Sequence, residues 1–379
     1  MSWEDAQRPT NVRRWLMIGA VVVVVTGAVA ITLAGRTPGG TLAIRPDASP
    51  SPRSPIAASE PAPDRPSARA DAVSTGSGPL LPDGADFAIV AAGQTGWRVI
   101  DVATGAVTRW RMAGAGSQGL SQTLFLSGDD LVMTLGLGPA DIVRVAPDGR
   151  TVRIARRRQA IPTIDGGSVW VHDGLSDDFG GAASLVDPDG TVRERIELPS
   201  LTRPAVGIPE GLLVTTETGT AVVSDSASRT IWRGGTVAAA DATRVAHVTC
   251  DPAPSCEILL GTLDEPAGHR LQLAPGDVPG GYFGPGLGAF SGDGRWLALP
   301  VFTQSARNYV SIIDTATGVE VGRPEGSDQP FSSALAWSPD SRWLVFASGD
   351  GIATWDTTRR RASRLDAELG EPTHALAVR

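Results

Sequence analysis

The sequence predicts an all-β fold, a seven-bladed β-propeller with four-stranded blades, preceded by one transmembrane helix and a disordered linker. Three observations lead to this fold class: a strand-turn-strand pattern that repeats roughly every 40 residues, an incomplete unit at each end of the repeated region, and one long apolar run near the N-terminus. The predicted parts are a cytoplasmic N-terminus at 1–14, a transmembrane helix at 15–34, the linker at 35–80 and the propeller at 81–379.

The repeated unit is clearest near the C-terminus. The segments "AWSPDSRWLVFAS" (336–348) and "AFSGDGRWLALP" (289–300) each place two apolar strand-like runs around a tight turn that contains Asp. The order strand, turn, strand, loop, strand, turn, strand returns upstream in weaker form. Six full units result, at 123–155, 163–198, 205–234, 236–273, 286–324 and 332–365.

The two incomplete units complete each other. Residues 86–112 supply three strands of a blade and lack the innermost one, while "HALAV" near the C-terminus resembles the innermost strand "SALAW". We therefore expect the C-terminal segment to close the ring as the innermost strand of the first blade, which removes exposed sheet edges. In this strand Leu376 and Val378 are expected to be buried and their neighbours exposed.

The turn and aromatic side chains of the blades have structural explanations. Asp293 and Asp340 are predicted to accept backbone N–H groups in tight turns, and Gly294 suits a left-handed turn position, as do Gly149 and Gly190. Large aromatic residues on the strands are expected to pack between neighbouring blades; they are Trp296, Trp337, Trp343, Phe346 and Trp355.

These residues support a resemblance to a known family. "AWSPDSRWLVFAS" and "AFSGDGRWLALP", each followed by a turn of the D-x-x-T type, resemble WD-repeat and TolB-like β-propellers of a membrane-anchored, actinobacterial type. The resemblance covers roughly residues 81–379 and implies the propeller fold. The regular Gly-His dipeptide of WD repeats is absent, so no partner is carried over from that family.

The apolar run Trp15–Ala34 is long enough to cross a membrane. It has no charged residue, and twenty helical residues rise about 30 Å, the thickness of a bilayer core. A cleaved signal peptide is the alternative, because "AVA" at 28–30 resembles a cleavage site. We favour an uncleaved anchor in the plasma membrane, since the run is long for a signal peptide. Residues 37–79 are rich in Pro, Ser and Ala and are predicted to be disordered.

Two cysteines indicate the compartment. Cys250 and Cys256 flank the Pro-rich stretch "DPAPS" between two strand-like runs. Metal sites and redox pairs normally have tighter spacing or additional ligands, so a structural disulfide is favoured over two unpaired thiols. A disulfide requires an oxidising compartment. The sequence therefore predicts a single-pass protein with its N-terminus in the cytoplasm and its propeller outside.

Several classes of chemistry lack sequence support. The chain contains no Lys, and the GxSxG, HExxH, GxGxxG and P-loop patterns do not occur. The net charge is −8, which opposes general affinity for nucleic acid. Arginine runs at 156–158 and 359–361 are interpreted as solvated turns. No catalytic residue, cofactor or metal site is predicted.

Candidate binding residues lie in the loops that break the repeat. In propellers of this kind the loops between the second and third strands and the connections between blades share one face. The segments "GLSDDFGGA", "CDPAPSC", "FTQSARN" and "PGDVPGGYFGPG" map to that face. A mixed aromatic and polar rim suits a protein or glycan partner. The candidate residues are Asp177, Asp178, Phe179, Tyr282, Phe283, Arg307 and Asn308.

Two classes of function stay open. The first is an extracytoplasmic scaffold that binds a protein, a cell-wall glycan or a small ligand without chemistry of its own, and it is the favoured class. The second is an extracytoplasmic hydrolase or lyase whose active site is assembled from several blades. Two or more buried carboxylates near the propeller axis, or a His with an acid, would favour the enzyme.

Overall fold

The computed structural model describes residues 67–74, 76, 78–93, 96–113, 120–135, 140–173, 180–225, 227–250, 256–271, 277–279, 288–303, 308–324, 334–348, 351–365 and 375–379. The predicted cytoplasmic segment and transmembrane helix, and most of the predicted linker, lie outside these residues. None of the described elements is a helix long and apolar enough to cross a membrane.

The described strands form the seven predicted antiparallel blades. The first blade consists of β1 (Ser67–Ser74), β2 (Ala88–Ala92), β3 (Gly96–Asp101), β4 (Val107–Ala113) and the C-terminal strand β29 (Ala375–Val378). The second contains β5 (Leu120–Ser127), β6 (Asp130–Leu135), β7 (Ala140–Val145) and the first part of β8 (Thr151–Pro162). The third contains the end of β8, β9 (Val169–His172), β10 (Gly181–Val186) and β11 (Val192–Leu198).

The remaining four blades follow in chain order. Blade 4 contains β12 (Arg203–Ile208), β13 (Gly211–Thr216), β14 (Gly219–Val223) and β15 (Ser228–Arg233). Blade 5 contains β16 (Thr236–Ala240), β17 (Val245–Cys250), β18 (Cys256–Gly261) and β19 (His269–Leu271). Blade 6 contains β20 (Asp277–Pro279), β21 (Ala289–Phe290), β22 (Trp296–Thr303), β23 (Asn308–Asp314) and β24 (Val319–Gly322). Blade 7 contains β25 (Leu335–Trp337), β26 (Trp343–Ser348), β27 (Gly351–Asp356) and β28 (Arg361–Arg364).

The predicted closure of the ring is present. β29 pairs antiparallel with β2, with Ala377 opposite Val90 and Leu376 opposite Ala91. The expectation of alternating burial was wrong, because Ala375 and Ala377 are buried as well as Leu376. An innermost strand has a neighbouring blade on each side, so both of its faces are covered. Leu376 packs toward blade 7 and the two Ala residues pack toward blade 2.

The core lies between the blades. Among the described residues seven apolar clusters occur, and each joins one blade to the next around the ring. The predicted packing of the aromatic side chains is confirmed: Trp296, Trp337, Phe346 and Trp355 lie in the cluster between blades 6 and 7. Trp343 lies in the cluster that joins blade 7 to blade 1. The ring is therefore held by side-chain packing at every junction.

The N-terminal boundary of the ordered chain differs from the prediction. Residues Ser67–Ser74, which were assigned to the disordered linker, form β1 and pair antiparallel with β4. The linker thus contributes a fifth strand to the outer edge of the first blade. Leu81 and Phe87 then pack in the cluster between blades 7 and 1. The unpaired backbone of β4 explains this placement, because an exposed strand edge accepts a further strand.

The first arginine run was assigned wrongly. Residues 156–158 lie within β8 and not in a turn. This strand pairs with β7 as far as Arg158 and with β9 from Gln159 onward. One continuous strand is therefore the outermost strand of blade 2 and the innermost strand of blade 3.

Candidate functional site

The strand topology defines two ends of the propeller. We call the end with the connections between second and third strands, and from blade to blade, the loop end. We call the opposite end, with the turns between first and second and between third and fourth strands, the turn end. The four predicted binding segments belong to the loop end by this topology.

The predicted binding residues are mostly outside the described part of the chain. Those outside it are Asp177, Asp178, Phe179, Tyr282, Phe283 and Arg307. Asn308 is the first residue of β23, and its backbone pairs with Phe302 at the end of β22. The structure therefore places Asn308 at the loop end and does not test the grouping of the seven residues.

The innermost strand of blade 6 is interrupted. β20 and β21 both pair with β22: Pro279 lies opposite Val301, and Ala289 lies opposite Ala298. On β22 only two residues lie between Ala298 and Val301. On the inner strand nine residues lie between Pro279 and Ala289. Tyr282 and Phe283 belong to this inserted segment by sequence. The inserted chain leaves and rejoins the wall of the propeller nearest its axis.

Gly288 ends the inserted segment and lies in close contact with the neighbouring strands. Its N–H donates to the carbonyl of Ala238 in blade 5 at 2.7 Å. A Cβ atom at this position would lie 2.4 Å from the carbonyl oxygen of Ala298 and 2.5 Å from a Leu299 methyl group. Only glycine fits against β22 of the same blade here, because a side chain would collide with the backbone of that strand.

The two cysteines lie at the loop end of blade 5. Cys250 ends β17 and Cys256 begins β18, and the two residues are directly opposite each other in the antiparallel register. Facing positions of this kind have Cα separations of about 4.5–5.5 Å, which disulfide geometry tolerates. Such a bond would fasten the ends of the loop that carries "DPAPS".

The junction of blades 4 and 5 forms part of the loop end. The amide of Gly234, in the connection between the blades, donates to the carbonyl of Thr218 at 2.7 Å. Beneath this contact the hydroxyl groups of Thr215 and Thr236 lie 2.9 Å apart. The His247 ring stacks on Trp232 with 5.0 Å between ring centroids. Sequence reasoning gave no role to this His, because its partners lie on a different blade.

The turn end is built from a polar hairpin motif that confirms the predicted Asp roles. In blade 6 the Ser291 hydroxyl donates to Asp293 at 2.6 Å and accepts the Trp296 amide at 2.9 Å. Asp293 also accepts the Arg295 amide at 3.0 Å. The same contacts recur in blade 7. These carboxylates are occupied by their own turns, and hydrogen bonds to the ionised form lower the pKa of Asp293 although burial raises it.

One turn position shows how neighbouring blades are joined. Gly294 has a φ of +71°, and Ser341 occupies the equivalent position of blade 7 with a φ of +60°. A left-handed Ser is unfavourable, but its hydroxyl accepts the amide of Asp293 in the preceding blade at 2.9 Å. The Ser341 side chain therefore gains a hydrogen bond between blades 6 and 7, which compensates the local backbone strain.

Charged residues connect blade 7 to the segment between β1 and β2 of blade 1. Arg342 donates to Asp83 at 2.6 Å and to Asp356 at 3.0 Å, and Arg359 also donates to Asp83, at 2.8 Å. The Arg342 hydrogen bond is the main reason why the pKa of Asp83 is lowered. Sequence analysis missed this group because Asp83 and Arg342 are 259 positions apart.

The described residues of the innermost strands are mainly apolar, and they include Ala160, Ala238, Ala336, Ala375 and Ala377. Across the described ranges no group of three or more His, Cys, Asp or Glu residues is placed to hold a metal ion. The buried acid Asp356 is bound by Arg342 at the turn end. The described inner strands thus carry a packed wall.

The comparisons with known proteins support the fold. No protein-family model matches the chain, and no curated protein matches it. A periplasmic gluconolactonase from Pseudomonas aeruginosa superposes with a TM-score of 0.51 at 17% identity, covering 78% of this chain and 99% of that one. The chain is a β-propeller.

Two further solved structures are similar over comparable lengths. TolB from Acinetobacter baumannii has a TM-score of 0.49 at 15% identity and covers 79% of this chain and 68% of its own. AztD from Citrobacter koseri has a TM-score of 0.44 at 12% identity, with 78% and 98% covered. The propeller thus has TolB-like and gluconolactonase-like structural neighbours. Sequence identities this low show similarity of fold alone. The WD-repeat and actinobacterial assignments stay predictions.

Proposed function

We propose that this protein is a membrane-anchored, extracytoplasmic binding scaffold whose loop end recognises a protein, a cell-wall glycan or a small ligand. The observation that carries the proposal is the interrupted inner strand of blade 6. Its two halves, β20 and β21, are both paired to β22, so a rigid wall holds the ends of the segment that contains Tyr282 and Phe283. Functional loops on a rigid scaffold are the common arrangement of binding sites.

The chemistry of the proposed site suits a polar partner with flat apolar faces. Phe179, Tyr282 and Phe283 supply aromatic surface, while Asp177, Asp178, Arg307 and Asn308 supply hydrogen-bonding and charged groups. Aromatic and Arg side chains are enriched where proteins bind partners. Aromatic faces flanked by carboxylates and amides likewise fit sugar rings, whose hydroxyl groups need acceptors and donors.

The proposed location follows from three features of the chain in order. The apolar run Trp15–Ala34 anchors the protein in the plasma membrane, the linker separates anchor from propeller, and the cysteine pair lies in an oxidising compartment. The N-terminus is cytoplasmic in this arrangement. The paired register of Cys250 and Cys256 supports the last step.

The disulfide is a direct test of the compartment. Non-reducing peptide mass spectrometry of protein isolated from its native envelope, with free thiols blocked at lysis, should find one peptide pair joined through Cys250 and Cys256. Exchange of both residues for Ser should lower the unfolding free energy only modestly, by about 2 kcal/mol, because the closed loop is short. Two thiols blocked in the envelope protein would contradict both the bond and the proposed compartment.

The binding site can be located by photo-crosslinking in intact cells. A photoreactive phenylalanine analogue placed at Phe179 or Phe283 should give adducts of discrete mass on irradiation. The matched control places the same analogue at Arg150, whose side chain is 83% exposed at the turn end, and should give none. Variants Tyr282→Ala and Asn308→Ala should reduce the Phe283 adduct. Equal adducts from both ends, or none from the loop end, would contradict the proposal.

A hydrolase or lyase assembled from several blades is the alternative function. It is favoured by the periplasmic gluconolactonase among the structural neighbours, although that likeness concerns the fold. The purified propeller should not accelerate opening of glucono-δ-lactone above the rate in buffer. A turnover that depends on enzyme concentration would replace the scaffold proposal by the enzymatic one.

A further inference from the structure

A buried histidine lies at the junction of blades 4 and 5. His247 belongs to β17 and is 1% exposed. Its ring lies parallel to the indole of Trp232, at an interplanar angle of 8°. The backbone of Gly235 also approaches the ring closely, since a Cβ there would lie 2.7 Å from two atoms of the imidazole. The ring is therefore held in one orientation between two blades.

The hydrogen bond of this ring fixes the tautomer of its neutral form. Nε2 lies 2.9 Å from the carbonyl oxygen of Gly234, and a carbonyl can only accept, so Nε2 carries a proton. In the neutral ring Nδ1 is therefore the lone-pair nitrogen. It is buried and has no hydrogen-bond partner among the described residues, and the same is true of the Thr220 hydroxyl. Thr220 is the register partner of Trp232, so it borders the same junction.

No described charge compensates a protonated ring. The charged residues on the elements nearest to it are exposed: Glu217 before β14, Arg229 and Arg233 on β15, Glu257 on β18, and Asp264 and Glu265 in the turn that accepts the Trp232 indole N–H. Glu257 is paired with Arg270. The stacked indole attracts a cation, but it offers no acceptor in the plane of the imidazole. Burial lowers the pKa of His247, and the Gly234 hydrogen bond offsets this only in part.

Protonation of His247 would affect the connection between blades 4 and 5 at the loop end. A second N–H on the ring would be buried without an acceptor, which costs free energy unless the junction opens to water. The connection 233–236 lies next to the ring and is partly exposed, and its Gly234 accepts from the ring and donates to Thr218. Opening that connection also releases the turn at Thr216–Gly219.

We infer that His247 makes the loop end acid-responsive: its protonation releases the blade 4–5 connection from the turn of blade 4. The sign follows from the lowered pKa. The neutral ring is favoured in the fold, so its contribution is complete above the ordinary His pKa of about 6.5. It is lost as the pH falls from there through the lower folded value. The relevance of this pH range to binding rests on the proposed extracytoplasmic function. The acid response of His247 does not depend on that proposal.

The test uses the isolated propeller and needs no ligand. An NMR titration of the His Cε1–H signals should show one resonance, absent in His247→Gln, that titrates clearly below the ordinary His pKa of about 6.5. Amide exchange at pH 5.0, corrected for intrinsic rates, should be at least tenfold faster in 216–219 and 233–236 than at pH 7.5. The His269→Gln variant should retain this acceleration, and His247→Gln should lose it.

The outcomes separate this inference from the proposed function. An ordinary pKa for His247, or equal exchange at the two pH values, would overturn the acid response whatever the crosslinking shows. If His247→Gln destabilises the fold, the conservative His247→Asn variant and the wild-type NMR titration still decide whether His247 is responsible for the acid response. Failure of the loop-end crosslinks with a positive titration would leave the acid response standing and remove only the binding proposal.

Discussion

Deletion of residues 372–379 is expected to cause a large loss of stability. The deletion removes β29, unpairs β2 and uncovers apolar residues of two clusters. Burying a Leu or Val side chain stabilises by roughly 1.5–3 kcal/mol, and each backbone hydrogen bond adds roughly 1 kcal/mol. The total is on the order of 5 kcal/mol. A thermal melt of the propeller should show a midpoint about 8 °C lower, since the unfolding entropy of a domain of this size is about 0.6 kcal/mol/K.

The control for this deletion is Arg379→Ala. Arg379 is exposed and only its backbone pairs with Ala88, so the melting midpoint should hardly change. Because the truncated protein exposes a strand edge, it should also associate with itself. A synthetic peptide of residues 370–379, added in excess, should restore part of the lost stability by mass action. An unchanged midpoint and an unchanged monomeric state in the deletion would mean that β29 does not close the ring in solution.

The second large effect is expected for Asp356→Ala. The Asp356 side chain is 4% exposed and accepts hydrogen bonds from Arg342 and from the Thr358 amide. Its loss leaves the amide unpaired and Arg342, itself only 24% exposed, with Asp83 alone. Removing one partner of a buried pair costs about 2–4 kcal/mol. Chemical denaturation should show that loss with an unchanged m-value.

Asp83→Asn provides the matched control at the same group. Asp83 is more exposed than Asp356, so its effect should be smaller and should diminish at high salt. Burial opposes ionisation of Asp356, but Arg342 and the turn amides lower its pKa overall. Its contribution is therefore present above the ordinary Asp pKa and lost as the pH falls through the lower folded value. Wild type and Asp356→Asn should converge in acid; a difference that persists there would contradict the ionic explanation.

The sequence determined the local elements and the order of the blades. The hairpins around Asp293 and Asp340 were predictable because Ser, Asp and Trp contact one another within six residues in each of them. The closing strand was predictable because "HALAV" has the composition of the other innermost strands and the first blade lacks one. In both cases the information is a short pattern that the chain repeats.

Tertiary structure decided the contacts between blades and the ends of the ordered chain. The pairing of β1 with β4 could not be predicted, because a Ser- and Ala-rich segment becomes a strand only when an open edge is available. The continuity of β8 depends likewise on the sheets on both sides of it. The bonds of Asp83 to Arg342 and Arg359, and the stacking of His247 on Trp232, join blades whose residues share no local pattern. Such contacts arise from the angle at which twisted blades pack, which no short sequence pattern encodes.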